Sequence, residues 1–219
     1  MLLNQLNRGT NNLLKGYNYL LYFAGSMVTY EPTDECVTDF WKKGLLKRMP
    51  LMSNNPRFIT AMAQLRESCK DQTLCAVTLK KEYQRLFGMN SFSIPLLASH
   101  FTENQEEKDR IRKELKDLYD AYGWNPKLRI KLSDDHLGIE VLFLTKMIDK
   151  LNSLDDEPCR NEMRNQIIRF TERYMLPWIG EWNQRVQESA ESLCYKGTAN
   201  LLTSIIEDVR ETMVKEREK

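Results

Sequence analysis

The stretch Leu137-Gly138-Ile139-Glu140-Val141-Leu142-Phe143-Leu144 decides the fold class. It is apolar nearly all round, interrupted only by Gly138 and Glu140. A half-buried strand would alternate apolar with polar residues, and a surface helix would carry one apolar stripe. A helix apolar on every side is packed by neighbours on several faces and lies at the centre of a helical assembly. Asp134 and Asp135 stand just ahead of it, at a helix start where the backbone dipole favours acids. The helix is expected to run from there through Leu151.

Outward toward the C-terminus, Asp155 to Pro158 opens another helix, which Pro177 should kink or break. Trp178 and Trp182, four residues apart, share a face of it. A last helix is expected from about Glu188 to Met213, with Leu193, Leu201, Leu202, Ile205, Ile206 and Val209 on its inner side and a frayed, charged tail beyond. Toward the N-terminus, Gly123 to Ser133 is the clearest linker, because Gly123, Trp124, Asn125 and Pro126 break the preceding pattern. That pattern is a helix through Tyr122, opened by a capping box at Thr102-x-x-Gln105. Phe58 to Cys69 and Thr73 to Phe87 read as two more helices, with a loop from Gly88 to Pro95. Thr10-Asn11-Asn12 starts a helix whose apolar positions run from Leu13 to Val28, and a short helix carries Phe40, Trp41, Leu45 and Leu46.

No stretch alternates as a strand. The expected fold is all-α with about nine or ten helices, in a larger N-terminal part (1–123), a hinge loop (124–134) and a smaller C-terminal part (135–219) sharing one core. Gly and Pro number 9 and 7, a low share that fits few turns and long helices. The chain has 219 residues, with Lys plus Arg at 32 against Asp plus Glu at 31. That balance lacks the basic excess of a protein that grips a nucleic-acid backbone. The apolar run at Tyr17 to Val28 is too short for a bilayer and holds Asn18. Five cysteines form no C-x-x-C pair, which argues against a zinc knuckle or a redox dithiol. Reduced thiols and no export signal place the chain in the cytoplasm.

Chemistry has few candidates. The two histidines are His100 and His136. His136 and Glu140 fall on one helical face, so Asp135, His136 and Glu140 could serve a metal-dependent hydrolase, yet no H-E-x-x-H pattern accompanies them. An N-cap acid with a histidine held by a buried acid explains the same residues, and a structural or binding role is the favoured reading over catalysis. No phosphate-binding loop of the G-x-x-x-x-G-K-[ST] type occurs. The aromatic residues suit a groove edged with acids, which would take an amphipathic peptide helix carrying arginines. A helical scaffold for folded partners is the remaining alternative.

Asp135-His136-Leu137-Gly138-Ile139-Glu140-Val141-Leu142-Phe143-Leu144 closely resembles the D-H-L-G-x-E-L-x-F-L signature of the TorD/DmsD/NarJ family, cytoplasmic chaperones for molybdenum oxidoreductases. Three further segments agree in order: Tyr83-Gln84-Arg85-Leu86-Phe87 with Y-x-R-L-F, Pro95 to Phe101 with the P-P-Y-E-S-V-Y loop, and Tyr174 to Trp182 with H-L-x-x-W-x-P-x-F, followed by Cys194-Tyr195 in place of F-Y. Gly88-Met89-Asn90, Leu97, Ala98, Ser133, Tyr174 and Gly180 depart from the family pattern, as in a divergent member.

The resemblance implies a non-enzymatic chaperone. It would bind the twin-arginine leader of a molybdopterin oxidoreductase catalytic subunit and hold the apo-enzyme until its cofactor is inserted. Some relatives bind GTP or molybdopterin guanine dinucleotide, and some form domain-swapped homodimers instead of monomers. On this reading Asp134, Asp135 and Glu140 supply acids, with Asp135 pairing a guanidinium and His136 orienting it. Tyr83, Leu86, Phe87, Trp178 and Trp182 supply apolar wall.

Overall fold

The computed structural model describes residues 2–37, 53–68, 76–88 and 92–218. The short helix expected around Phe40 and Trp41, and Cys69 and Cys75, lie outside the described residues. The helices in chain order are α1 (Leu2–Thr29), the single turn α2 (Asp34–Val37), α3 (Pro56–Ser68), α4 (Ala76–Phe87), α5 (Gln105–Ala121), α6 (Leu137–Ser153), α7 (Glu157–Phe170), α8 (Leu176–Ser189) and α9 (Leu193–Arg217). Among the described residues there are thus eight helices of three turns or more, or seven if the run from α7 into α8 is taken as one, somewhat fewer than expected. The only β-type pairing there is an isolated antiparallel bridge between Leu97 and His136.

Two helices form the centre. In α6, eleven of seventeen residues are buried, on every face, as its sequence dictates. α9 is equally central, packing against α1, α3, α7 and α8. Its sequence suggests a one-sided helix, but Thr198, Thr203 and Ser204 are buried beside the leucines and isoleucines. Two of these hydroxyls escape the usual penalty of a buried polar group by bonding to the helix itself: Thr198 donates to the Cys194 carbonyl at 2.8 Å and Ser204 to that of Leu201 at 2.9 Å. One core cluster draws buried residues from all eight long helices.

Several helix ends differ from expectation. α1 runs through Thr10-Asn11-Asn12 from Leu2, giving a helix of about 42 Å at 1.5 Å per residue. α5 is capped by Asn104 and not by Thr102: the Asn104 side chain accepts from the Glu106 and Glu107 amides at 2.9 and 3.4 Å. The last helix starts later, at Leu193 with Ser192 as its cap; Leu193 is exposed, and the helix continues into the charged tail to Arg217. Pro177 does interrupt its helix. A π-helical segment at Thr171–Met175 takes up the lost backbone bond, and Pro177 then sits in the first turn of α8, where its missing N–H is harmless.

Candidate functional site

The start of α6 is built by the three residues before it. His136 takes the N-cap position in extended conformation, and its Nδ1 accepts from the Gly138 amide at 3.0 Å. Burial lowers the imidazole to about 4, although the Asp135 charge pulls the other way. The ring is therefore neutral near pH 7, as a hydrogen-bond-accepting nitrogen requires. Asp135 is sealed from solvent. Its carboxylate accepts from the Ser99 amide at 3.1 Å and from the Ser133 hydroxyl, with Arg112 Nε 3.6 Å away. Burial pushes this carboxyl up, but the bonds from Ser133 and Ser99 and the Arg112 charge outweigh it and hold it below its ordinary value.

Glu140, one turn on, is wholly buried, and neither of its oxygens has a hydrogen-bond partner. Burial first, then repulsion from Asp135, holds its carboxyl well above the carboxylate range. The two carboxyls are thus pushed apart in acidity, Asp135 down and Glu140 up. The loop expected to resemble P-P-Y-E-S-V-Y lies against this segment: Ala98 N–H donates to the Asp135 carbonyl at 2.9 Å and Leu137 N–H to that of Leu96 at 2.8 Å. Asp134 pairs with Arg129 through two parallel bonds of 2.6 and 3.1 Å.

Gly138 allows α6 to touch α1. A Cβ there would lie 2.1 Å from Thr29 Oγ1, whose hydroxyl is tied to the Gly25 carbonyl at 2.6 Å. Gly25 makes the reciprocal approach, since its Cβ would meet Val141 at 2.8 Å. Beside this contact a groove of about 250 Å³ opens, lined by Leu21, Tyr22, Gly25, Ser26, Thr29, Tyr30, Leu128, Gly138, Val141 and Leu142. Its walls are mostly carbon. Tyr22 and Tyr30 are 49% and 54% exposed. Ile130, two residues from the lining Leu128, is 83% exposed. Large apolar groups standing in water around an apolar cleft mark a surface for a partner.

The nine residues expected at the site do not form one surface. Asp134, Asp135, His136 and Glu140 gather at the start of α6, with only Asp134 reaching solvent among the three acids. Tyr83 borders the groove, donating to the Thr29 carbonyl at 3.0 Å. Phe87 packs between Tyr83, Trp182 and Tyr195, with ring centroids 5.6, 6.3 and 5.8 Å away, and Leu86 is buried. Trp178 is buried against Phe101 at 5.0 Å. Leu86, Phe87, Trp178 and Trp182 serve as packing in this conformation. The sequence reading missed the α1 side of the groove. Its signal was Tyr22, Ser26 and Tyr30, spaced four apart on one helical face.

Two other chemistries fit poorly. The metal reading needs Asp135, His136 and Glu140 to converge, but the first two are turned to backbone and hydroxyl partners. Among the described residues no three His, Cys, Asp or Glu side chains could hold an ion. A larger cleft of about 680 Å³, with Tyr122, Phe170 and Tyr174 in its wall, has flat faces for a guanine base. Its rim cations face their own carboxylates, Arg173 with Glu114 at 3.1 Å and Arg169 with Glu162 at 3.7 Å. A phosphate there would have to displace these carboxylates from their cations. No helix of the described residues is long and apolar enough to cross a membrane.

Comparison with known proteins agrees with the central motif. The family described as nitrate reductase delta subunit matches residues 54–184, a span that includes α3 to α7 and most of α8. The chain is also 20% identical, over 190 residues, to a protein named Chaperone protein TorD from Photobacterium profundum, covering 84% of this chain and 88% of that one. With well over half its length inside the family match, the chain belongs to the nitrate reductase delta subunit family, the TorD/NarJ chaperones that its Asp135-to-Leu144 segment resembles.

Proposed function

We propose that this chain is a cytoplasmic maturation chaperone that holds the twin-arginine leader of a molybdopterin oxidoreductase in the groove between α1 and the start of α6. It keeps the apo-enzyme from export until the cofactor is in place. A leader of this kind offers two guanidinium forks followed by an apolar segment. The apolar segment suits the carbon-lined groove and the exposed faces of Tyr22, Tyr30 and Ile130. The guanidinium groups suit carboxylates tied to its lining segments: Glu31, which follows Tyr30 and pairs with Lys80, and Asp134 and Asp120, which pair with Arg129 beside Leu128 in sequence.

The observation that carries this reading is the groove itself, floored by Gly138, Val141 and Leu142 of the family motif. Asp135 and His136 act beneath it. They fix the first turn of α6, and with it the groove's floor, without meeting the leader in this conformation. The test is a titration of fluorescently labelled twin-arginine leader peptides from molybdopterin oxidoreductases of the same cell, read by anisotropy. Saturable binding that disappears when both arginines become alanine supports the proposal. No binding of any of these leaders would refute it.

A further inference from the structure

Arg129 sits in a seat shaped for a guanidinium. Its Nε and Nη2 donate in parallel to the two oxygens of Asp134, at 2.6 and 3.1 Å. Its Nη1 donates to Asp120 Oδ1 at 3.1 Å and to the Trp124 carbonyl at 2.8 Å. The guanidinium carbon lies 5.1 Å from the centre of the Tyr119 ring, which is buried and donates its hydroxyl to the Asp134 carbonyl at 3.1 Å. The Arg129 side chain is 8% exposed. The seat draws on the last turn of α5, on Trp124 and on the hinge. The arginine that fills it comes from the 3₁₀ turn Lys127–Ile130, whose Leu128 lines the groove.

Resting on the leader-binding reading, we propose that this seat is the groove's arginine receptor, kept filled in cis: one arginine of the leader displaces Arg129 from Asp134, Asp120 and the Trp124 carbonyl. Exchanging one guanidinium for another leaves every acceptor paired. A lysine ammonium has three donors and no planar fork, so it leaves part of the seat unsatisfied. An empty seat would leave two carboxylates without their cation. The resident arginine also competes at a high effective concentration, because it is tethered five residues from Asp134. An arginine alone cannot win that competition; it needs the apolar segment behind it to bind the groove at the same time. The seat and groove together thus demand both halves of the leader.

The test uses the full chain with Arg129→Gln. Removing the tethered competitor should tighten binding of the twin-arginine leader by about tenfold or more, while a leader with both arginines changed to lysine gains much less. Independently of any leader, millimolar methylguanidinium should raise the melting temperature of Arg129→Gln, and methylammonium should not. Should Arg129→Gln fail to fold, Arg129→Lys keeps the charge without the fork and is expected to show the same two effects, smaller in size. Leader binding unchanged or weakened in the variant overturns the displacement. Equal response to the two small cations overturns the receptor. A guanidinium-specific rise without tighter leader binding overturns the displacement alone and leaves the proposed function standing. Leader binding to neither protein overturns both.

Discussion

Replacing Glu140 with glutamine should make the protein more stable as pH rises, and the size of the effect follows from two neighbouring groups. Glu140 is wholly buried with no partner, and burial together with Asp135 keeps its proton on well above the ordinary value of 4.5. In the unfolded chain that proton leaves near the ordinary value. Between the two values the folded state binds one more proton, so unfolding free energy falls by about 1.4 kcal/mol per pH unit. His136 has the opposite sign. Its folded value of about 4 against an ordinary 6.5 means the unfolded chain binds more protons in that window, and stability rises with pH through it at a similar slope.

In the wild type the two slopes oppose each other wherever their windows overlap above about 4.5. Glu140→Gln keeps the shape and removes the proton. The variant should gain on the wild type by about 1.4 kcal/mol per unit from about pH 5 upward, until the folded carboxyl itself titrates. Groups common to both proteins drop out of the difference. Urea unfolding followed by circular dichroism at successive pH values measures it. Parallel stability curves, with a gap independent of pH, would refute the buried neutral carboxyl.

Three further outcomes are expected. Gly138→Ala places a methyl against Thr29 Oγ1 and forces α1 from α6, at a cost of about 1–3 kcal/mol in chemical denaturation and with weaker leader binding. His136→Ala leaves the Gly138 amide uncapped and loses about 1 kcal/mol near neutral pH, whereas His136→Asn, which can accept the same bond, recovers most of it. Tyr22→Ala and Tyr30→Ala, both at half-exposed positions, should change stability by less than about 0.5 kcal/mol and weaken the leader in the anisotropy titration.

The sequence was most informative where one residue type has a single structural consequence. The apolar run from Leu137 to Leu144 identified the central helix, Pro177 the break before α8, and Gly123, with its positive φ of 58°, the turn that follows α5. It was least informative where polar residues are buried by bonding locally. Thr198 and Ser204 look like solvent-facing positions, so α9 reads as one-sided. At the proposed site, the Asp135-His136 motif marks the start of α6, whose Gly138 and Val141 line the groove, but not the side chains that reach solvent there. Periodicity tells which residues share a helix face, not which face a neighbouring helix leaves open. The groove arises from the α1–α6 crossing, and that crossing depends on Gly25 meeting Val141 and Gly138 meeting Thr29 across more than 100 positions of sequence. Arg129 was hidden for a related reason: within a basic loop, nothing local separates the cation that folds back onto Asp134 from Lys127 and Lys131, which are exposed.

The central claim is that the leader lies in the α1–α6 groove, and site-specific cross-linking tests it most directly. A photoreactive benzoylphenylalanine in place of Tyr22, with a second protein carrying it at Tyr122 in the larger cleft as a control, is irradiated with the twin-arginine leader. Capture is expected at position 22 through the leader's apolar segment, lost when the two arginines are replaced by alanine, and none at position 122. Capture at 122 in preference to 22, or capture at 22 that ignores the arginines, would contradict the claim.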